Sequence, residues 1–174
     1  MQVLLLLMSI VVLVGAWALV IRPKAEIRTP NIQNEVKIYS KEVNGDPARN
    51  LTLLKTISID VEGDNQPENI ELYTAAQKDT SGAIMWDDGQ NWLLIVRDGN
   101  KEYPLFDDRI QLGQLDYLVY ASSAKKTHII VTYSDTTSMK VSDYSFDRDQ
   151  MCFMQKVVYN PSDINWIMPY EPYK

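Results

Sequence analysis

The densest chemistry in this chain lies in one short stretch. Asp60-Val61-Glu62-Gly63-Asp64-Asn65-Gln66-Pro67-Glu68-Asn69-Ile70 places carboxylates at 60, 62, 64 and 68. In a tight loop, alternate spacing turns the first three toward a common centre. Glu68 closes the shell from the far side, and Gln66 offers a backbone carbonyl. Such a gathering of oxygens is the donor set that a hard cation such as Ca²⁺ takes. Gly63 and Asn65 permit the sharp backbone path that the loop needs. The same residues also read as a solvated acidic turn whose carboxylates cap loop amides. Both readings stand at the level of sequence. If the metal binds, a millimolar, extracellular-type affinity is expected. Its role is then to stiffen the loop, because no water-activating group accompanies it.

This stretch resembles the Asp-x-Asp/Asn-x-Asp-Gly-x-x-Asp element of FG-GAP or integrin-type β-propeller repeats, and isolated versions of that element in bacterial envelope proteins. There too the loop joins two strands. The likeness is local, about a dozen residues long. It implies that Asp60, Glu62, Asp64 and Glu68 are side-chain ligands and that Gln66 contributes its carbonyl. The chain departs from the pattern in the longer arm of Glu62, in Asn65 where Gly is usual, and in Glu68 where Asp is usual. An EF-hand is a poorer match despite Glu71 at the twelfth position, because the flanks are strand-like and Pro67 interrupts the loop.

Other reactive side chains are sparse. His128 is the sole histidine and Cys152 the sole cysteine. No Gly-x-Ser-x-Gly elbow accompanies the histidine, so a Ser–His–acid triad is not expected. One His and one Cys do not make a zinc site. Cys152 lies in an apolar strand pattern and reads as a buried, inert thiol. Asp87-Asp88 and Asp107-Asp108 could supply paired carboxylates for glycoside hydrolysis, but both flank turns, where Asp accumulates for backbone reasons. Trp86, Trp92, Tyr117, Tyr120, Tyr133 and Tyr144 suit core and cross-strand packing. Exposed on one face, they would stack on sugar rings. No catalytic residue is assigned, and an enzyme is not expected.

These residues must be positioned by a chain of 174 residues and net charge −6. The charge is spread without a basic cluster, which argues against a nucleic-acid partner. Residues 3–21, VLLLLMSIVVLVGAWALVI, carry no charge. As a helix they reach roughly 28 Å, close to the hydrocarbon thickness of a bilayer. Residues 1–21 are therefore expected to be a transmembrane anchor, a cleaved signal segment at Ala16-Trp17-Ala18 being the alternative. Arg22, Lys24 and Arg28 follow, and by the positive-inside rule would be cytoplasmic. The common arrangement of an N-terminal anchor followed by a translocated domain points the other way, and the domain is expected outside. With no disulfide available, a bacterial, Gram-positive-like envelope fits better than a eukaryotic secretory setting.

Residues 22–50, with Pro23, Pro30 and Pro47, read as a spacer that contains a first edge element at Val36–Tyr39. From 51 to 174 the pattern is β. Strands are expected at 53–59, 70–74, 92–96, 101–106, 115–120, 128–133, 140–146 and 151–159, with a hairpin at Asp98-Gly99 and a four-residue loop at 147–150. Short helices are expected around 108–114 and 73–78, and the aromatic tail Trp166–Tyr170 is expected to pack across one end of the core. The fold class is a single, mainly β, antiparallel domain, a sandwich or propeller-like blades. The expected role is non-enzymatic: a membrane-tethered, extracytoplasmic β domain that contacts an envelope protein, with a glycan- or cell-wall-binding module and a cell-envelope hydrolase as rivals.

Overall fold

A computed structural model describes residues 35–42, 48, 50–161 and 164–167. The anchor expected at 1–21 and the tail beyond Ile167 lie outside these residues. Among the described residues ten strands run: β1 (Val36–Tyr39), β2 (Lys41–Glu42), β3 (Thr52–Ile59), β4 (Glu68–Thr74), β5 (Gly89–Asp98), β6 (Lys101–Gln111), β7 (Gln114–Ala121), β8 (Thr127–Ser134), β9 (Met139–Asp147) and β10 (Cys152–Tyr159). They form two antiparallel sheets. Sheet I has the order β1-β10-β9-β8-β7 and sheet II the order β2-β6-β5-β4-β3. Each sheet is a four-stranded meander completed by a short N-terminal strand. Ser40 alone separates β1 from β2, so one segment passes from sheet I to sheet II.

The two inner faces share a core, as period-2 patterning requires. Ile70 and Leu72 of β4, with Trp92, Leu94 and Val96 of β5, meet Tyr117, Ile129, Val131, Tyr144, Phe146 and Phe153 of sheet I. Burying each such side chain is worth about 1.5–3 kcal/mol. Tyr103, Phe146 and Phe153 contact one another edge to face, with ring centroids 5.1–5.7 Å apart. Leu93 and Ile95 point away from this core, yet they too are buried. Across the ladder they meet Tyr73 and Glu71. Around them Arg97 bridges Glu71 and Glu102, at 3.2 and 2.7 Å. Strand β5 is thus covered on both sides, which is why 92–96 reads as an unbroken apolar run.

At the opposite edge, Lys55 of β3 joins the two sheets. Its Nζ donates to Asp116 Oδ1 at 2.8 Å and to the Tyr117 carbonyl at 2.6 Å, and it lies over the Tyr117 ring.

Neither expected helix forms. Residues 108–111 complete β6, with Ile110 buried and Gln111 exposed in strand alternation. The chain then reverses at Leu112 and Gly113. A Cβ on Gly113 would stand 2.2 Å from the Ser134 carbonyl oxygen, so only glycine fits there. Tyr73 and Thr74 end β4, and Lys78 forms an isolated bridge with Ile84. The β5–β6 hairpin turns on Gly99-Asn100 instead of Asp98-Gly99, since Asp98 pairs with Lys101. Only Gly99 is left-handed there, at φ 55°. Pro104 lies just beyond the two-residue pairing of β6 with β2, where its missing N–H costs the sheet nothing. The β9–β10 loop is Arg148–Met151, one residue later than expected.

Candidate cation site at the 60–68 loop

Ile59 and Glu68 are cross-strand partners, so residues 60–67 form the β3–β4 connection. Gly63 and Asn65 take left-handed conformations, with φ 75° and 69°. Asp60 organises the turn. Its Oδ1 accepts from the amides of Gly63 and Asp64, and its Oδ2 from Asn65 at 2.9 Å. Asp64 Oδ1 accepts from the Gln66 amide at 2.8 Å. Glu68 reaches back from the first position of β4, and its Oε2 takes the amides of Val61 and Glu62 at 2.7 and 3.2 Å. Such side-chain acceptors satisfy donors that the loop removes from water.

The structure divides the five expected ligands. Asp60, Asp64 and Glu68 each place one carboxylate oxygen within 4.8 Å of the other two. Two oxygens that share a Ca²⁺ at about 2.3–2.6 Å stand at most about 5 Å apart, so the spacing fits a common cation. The amides leave Glu68 Oε1 and Asp64 Oδ2 outside their bonds. Glu62 goes elsewhere. Its carboxylate is buried and faces the Tyr103 hydroxyl, with Ser40 on the far side of that hydroxyl. Its Oε1 has no hydrogen-bond partner among the described residues. Gln66 is exposed.

Burial raises the pKa of Glu62, and the charges of Asp98 and Glu68 raise it further. Burial likewise raises that of Glu68, against the pull of its two amides, and the charges of Asp64 and Asp60 raise it further. Tyr103 is pushed up to about 12 by burial and by Glu62. One cation already lies on the loop. Arg148, from the β9–β10 connection, donates from Nε to the Glu62 carbonyl at 2.5 Å. Its guanidinium occupies the space that a Cβ on Gly63 would take. Arg148, Tyr103 and Ser40 were invisible in the sequence motif because they stand far from it in the chain. No local pattern announces them.

No family model, curated protein or solved structure matches this chain.

The remaining reactive groups have structural partners. His128 Nδ1 lies 2.9 and 3.1 Å from the two Asp143 oxygens, and the Tyr120 ring stacks on the imidazole at 4.9 Å. Ser145 is the cross-strand neighbour of His128, but the imidazole turns to Asp143 instead. Cys152 is fully buried and burial raises its pKa, which leaves little thiolate. Asp87 and Asp108 each accept the amide of the following residue. Asp107 and Asp108 are strand neighbours that alternate in direction, so they do not face each other as a glycosidase pair must. Of the aromatic set, Trp92, Tyr117 and Tyr144 are buried, Trp86 and Tyr133 pack against the core, and Tyr120 is exposed on the outer face.

Proposed function

We propose that this chain is a non-enzymatic, membrane-tethered domain on the outer face of a cell membrane, acting by contact with an envelope partner, in which Asp60, Asp64 and Glu68 hold Ca²⁺. The observation that carries the metal part is the approach of three carboxylates within 4.8 Å at one end of the fold. The apolar segment 3–21 supports the tether. The commitment of the acidic loop and of His128 to internal bonds supports a binding role over catalysis.

The test is thermal unfolding of the full chain in EDTA and then in millimolar Ca²⁺. A rise in Tm that chelator reverses, and that Asp60→Ala plus Asp64→Ala abolishes, supports the site. No rise at several millimolar leaves the loop a capped turn. Labelling of lysines on intact cells with a membrane-impermeant reagent tests the location, and labelling only after lysis refutes it.

A second reading, a glycan-binding module, is favoured by the outer face of sheet I. Tyr39, Tyr120 and Tyr159 point away from the core there and remain 55, 46 and 52% exposed.

A further inference from the structure

The inner face of sheet I should be apolar throughout, yet it becomes polar toward one end. Ser142 and Gln155 project inward beside Tyr144 and are joined to it. Gln155 Nε2 donates to Tyr144 Oη at 2.7 Å and to Ser142 Oγ at 3.3 Å. The Ser142 hydroxyl lies near the phenol and counters the effect of burial on it. Tyr144 then donates to the Leu105 carbonyl at 3.0 Å, next to the bulge that breaks the β5–β6 register. A cavity of about 240 Å³ opens at this point, lined by Leu105, Phe106, Val131, Tyr133 and Asp108 as well as the polar trio. The three groups partner one another, and on a sheet that otherwise buries Ile129, Phe146 and Phe153 they give the cavity a polar wall whose lone pairs an occupant with hydroxyl groups can share.

We propose that this inter-sheet cavity binds one neutral sugar ring. The proposal deepens the glycan-binding reading and rests on it. The volume is below the roughly 300–1,000 Å³ of drug-sized sites and equals the room of about eight waters. It therefore suits a single ring and excludes a chain segment. The two sides of the cavity differ in kind. Phe106 and Tyr133, stacked with centroids 6.3 Å apart, supply an apolar wall for the C–H face of a pyranose. Ser142 and Gln155 supply hydroxyl and carboxamide groups for ring hydroxyls, and none of the bonds above uses Gln155 Oε1.

The charges select against anions, and the neutral buried end gives a cation no partner inside. Asp107, Asp108 and Lys140 line the cavity and leave it a net negative rim, which repels an anion. The buried end offers only neutral groups. Asp108, whose charge reaches the Tyr133 phenol, is placed to accept from a ring hydroxyl.

The experiment is saturation-transfer NMR on the full chain, in micelles of a detergent without a sugar headgroup. The probes are glucose and N-acetylglucosamine, then tetramethylammonium, with inorganic phosphate followed by ³¹P line width. Transfer to sugar ring protons is expected at millimolar concentrations. Asp108→Asn, an exposed change that keeps the acceptor for the Arg109 amide, should weaken it about tenfold, the cost of one charged hydrogen bond. Ser142→Leu should abolish it by filling the cavity, with its far-UV spectrum as the check on folding. Binding of tetramethylammonium or phosphate without sugar overturns the proposal, as does no transfer to either sugar. Sugar binding that survives both variants moves recognition to the tyrosines of the outer face: the glycan-binding reading then stands and this site falls.

Discussion

Glu68 separates the two roles that the acidic loop can play, because cap and ligand use different oxygens. Its Oε2 accepts two amides, from Val61 and Glu62, at positions almost closed to water. Glu68→Ala strands both donors. Each buried unsatisfied amide costs about 1–3 kcal/mol. The loss is offset in part because a carboxylate whose ionisation burial opposes is removed. The expected net destabilisation is about 2–4 kcal/mol in EDTA. Glu68→Gln keeps an oxygen for both amides and should stay within about 1 kcal/mol of the parent. The two variants should respond alike to Ca²⁺, since both lack the charged ligand. For a site with Kd near 1 mM, about 10 mM Ca²⁺ stabilises the parent by about 1.4 kcal/mol, or roughly 3–6 °C in Tm. Circular-dichroism melts of the parent and both variants, in EDTA and in Ca²⁺, read all of this. A Gln variant as damaged as the Ala variant in EDTA would refute the capping argument. A full Ca²⁺ response in either variant would refute Glu68 as a ligand.

Three further outcomes follow from the same geometry. Gly63→Ala meets a left-handed φ and the Arg148 guanidinium at once, so it should cost about 1–3 kcal/mol. In a double-mutant cycle with Arg148→Ala only the steric part should be recovered, and strict additivity in urea melts would contradict the contact. Burial raises the folded pKa of Glu62 above the ordinary carboxyl value. Its contribution to stability is therefore greatest below that value, falls as pH rises through the folded pKa, and is lowest at neutral pH. Urea midpoints across pH 4–8 should show a smaller decline in Glu62→Gln, and an unchanged decline would dismiss Glu62 as its source. Cys152, fully buried, should resist alkylation in the native protein and react on denaturation; equal rates in both states would contradict its burial.

The strands were legible because alternation and β-branched runs report directly on which face is buried. Trp92–Val96 was legible for a different reason, being covered on both sides. The two false helices show where this reading ends. Residues 73–78 contain two alanines and 108–114 no β-branched run, so local preference tilted toward helix. Their fate was decided by the burial of Thr74, Ala76 and Ile110 in tertiary contacts. In the loop, the type and spacing of Asp60, Asp64 and Glu68 did foretell that they converge. The inward turn of Glu62 was not legible. It depends on Tyr103, a residue of β6, and on Ser40 at the crossing between sheets, and neither has a sequence signal that connects it to the loop.

The position of the loop bears on what a bound cation would stabilise. The Thr127 hydroxyl of β8 donates to the Asp60 carbonyl at 3.0 Å, and Arg148 donates to that of Glu62. Thr127 belongs to sheet I and Arg148 to the connection between two of its strands, whereas the loop joins two strands of sheet II. Val61, between the two carbonyls, is buried in the shared core. The loop backbone is thus held from outside by sheet I, while its carboxylates are held from inside by its own amides. A cation shared by Asp60, Asp64 and Glu68 would stiffen this bridge between the layers as well as the turn itself. Its release should therefore lower the free energy of cooperative unfolding of the whole domain and should not appear as local fraying. Hydrogen exchange distinguishes the two. Global linkage predicts faster exchange in EDTA at Val131 and Leu94, deep in opposite sheets. A change confined to 60–68 would mean that the sheets are already locked together without the metal.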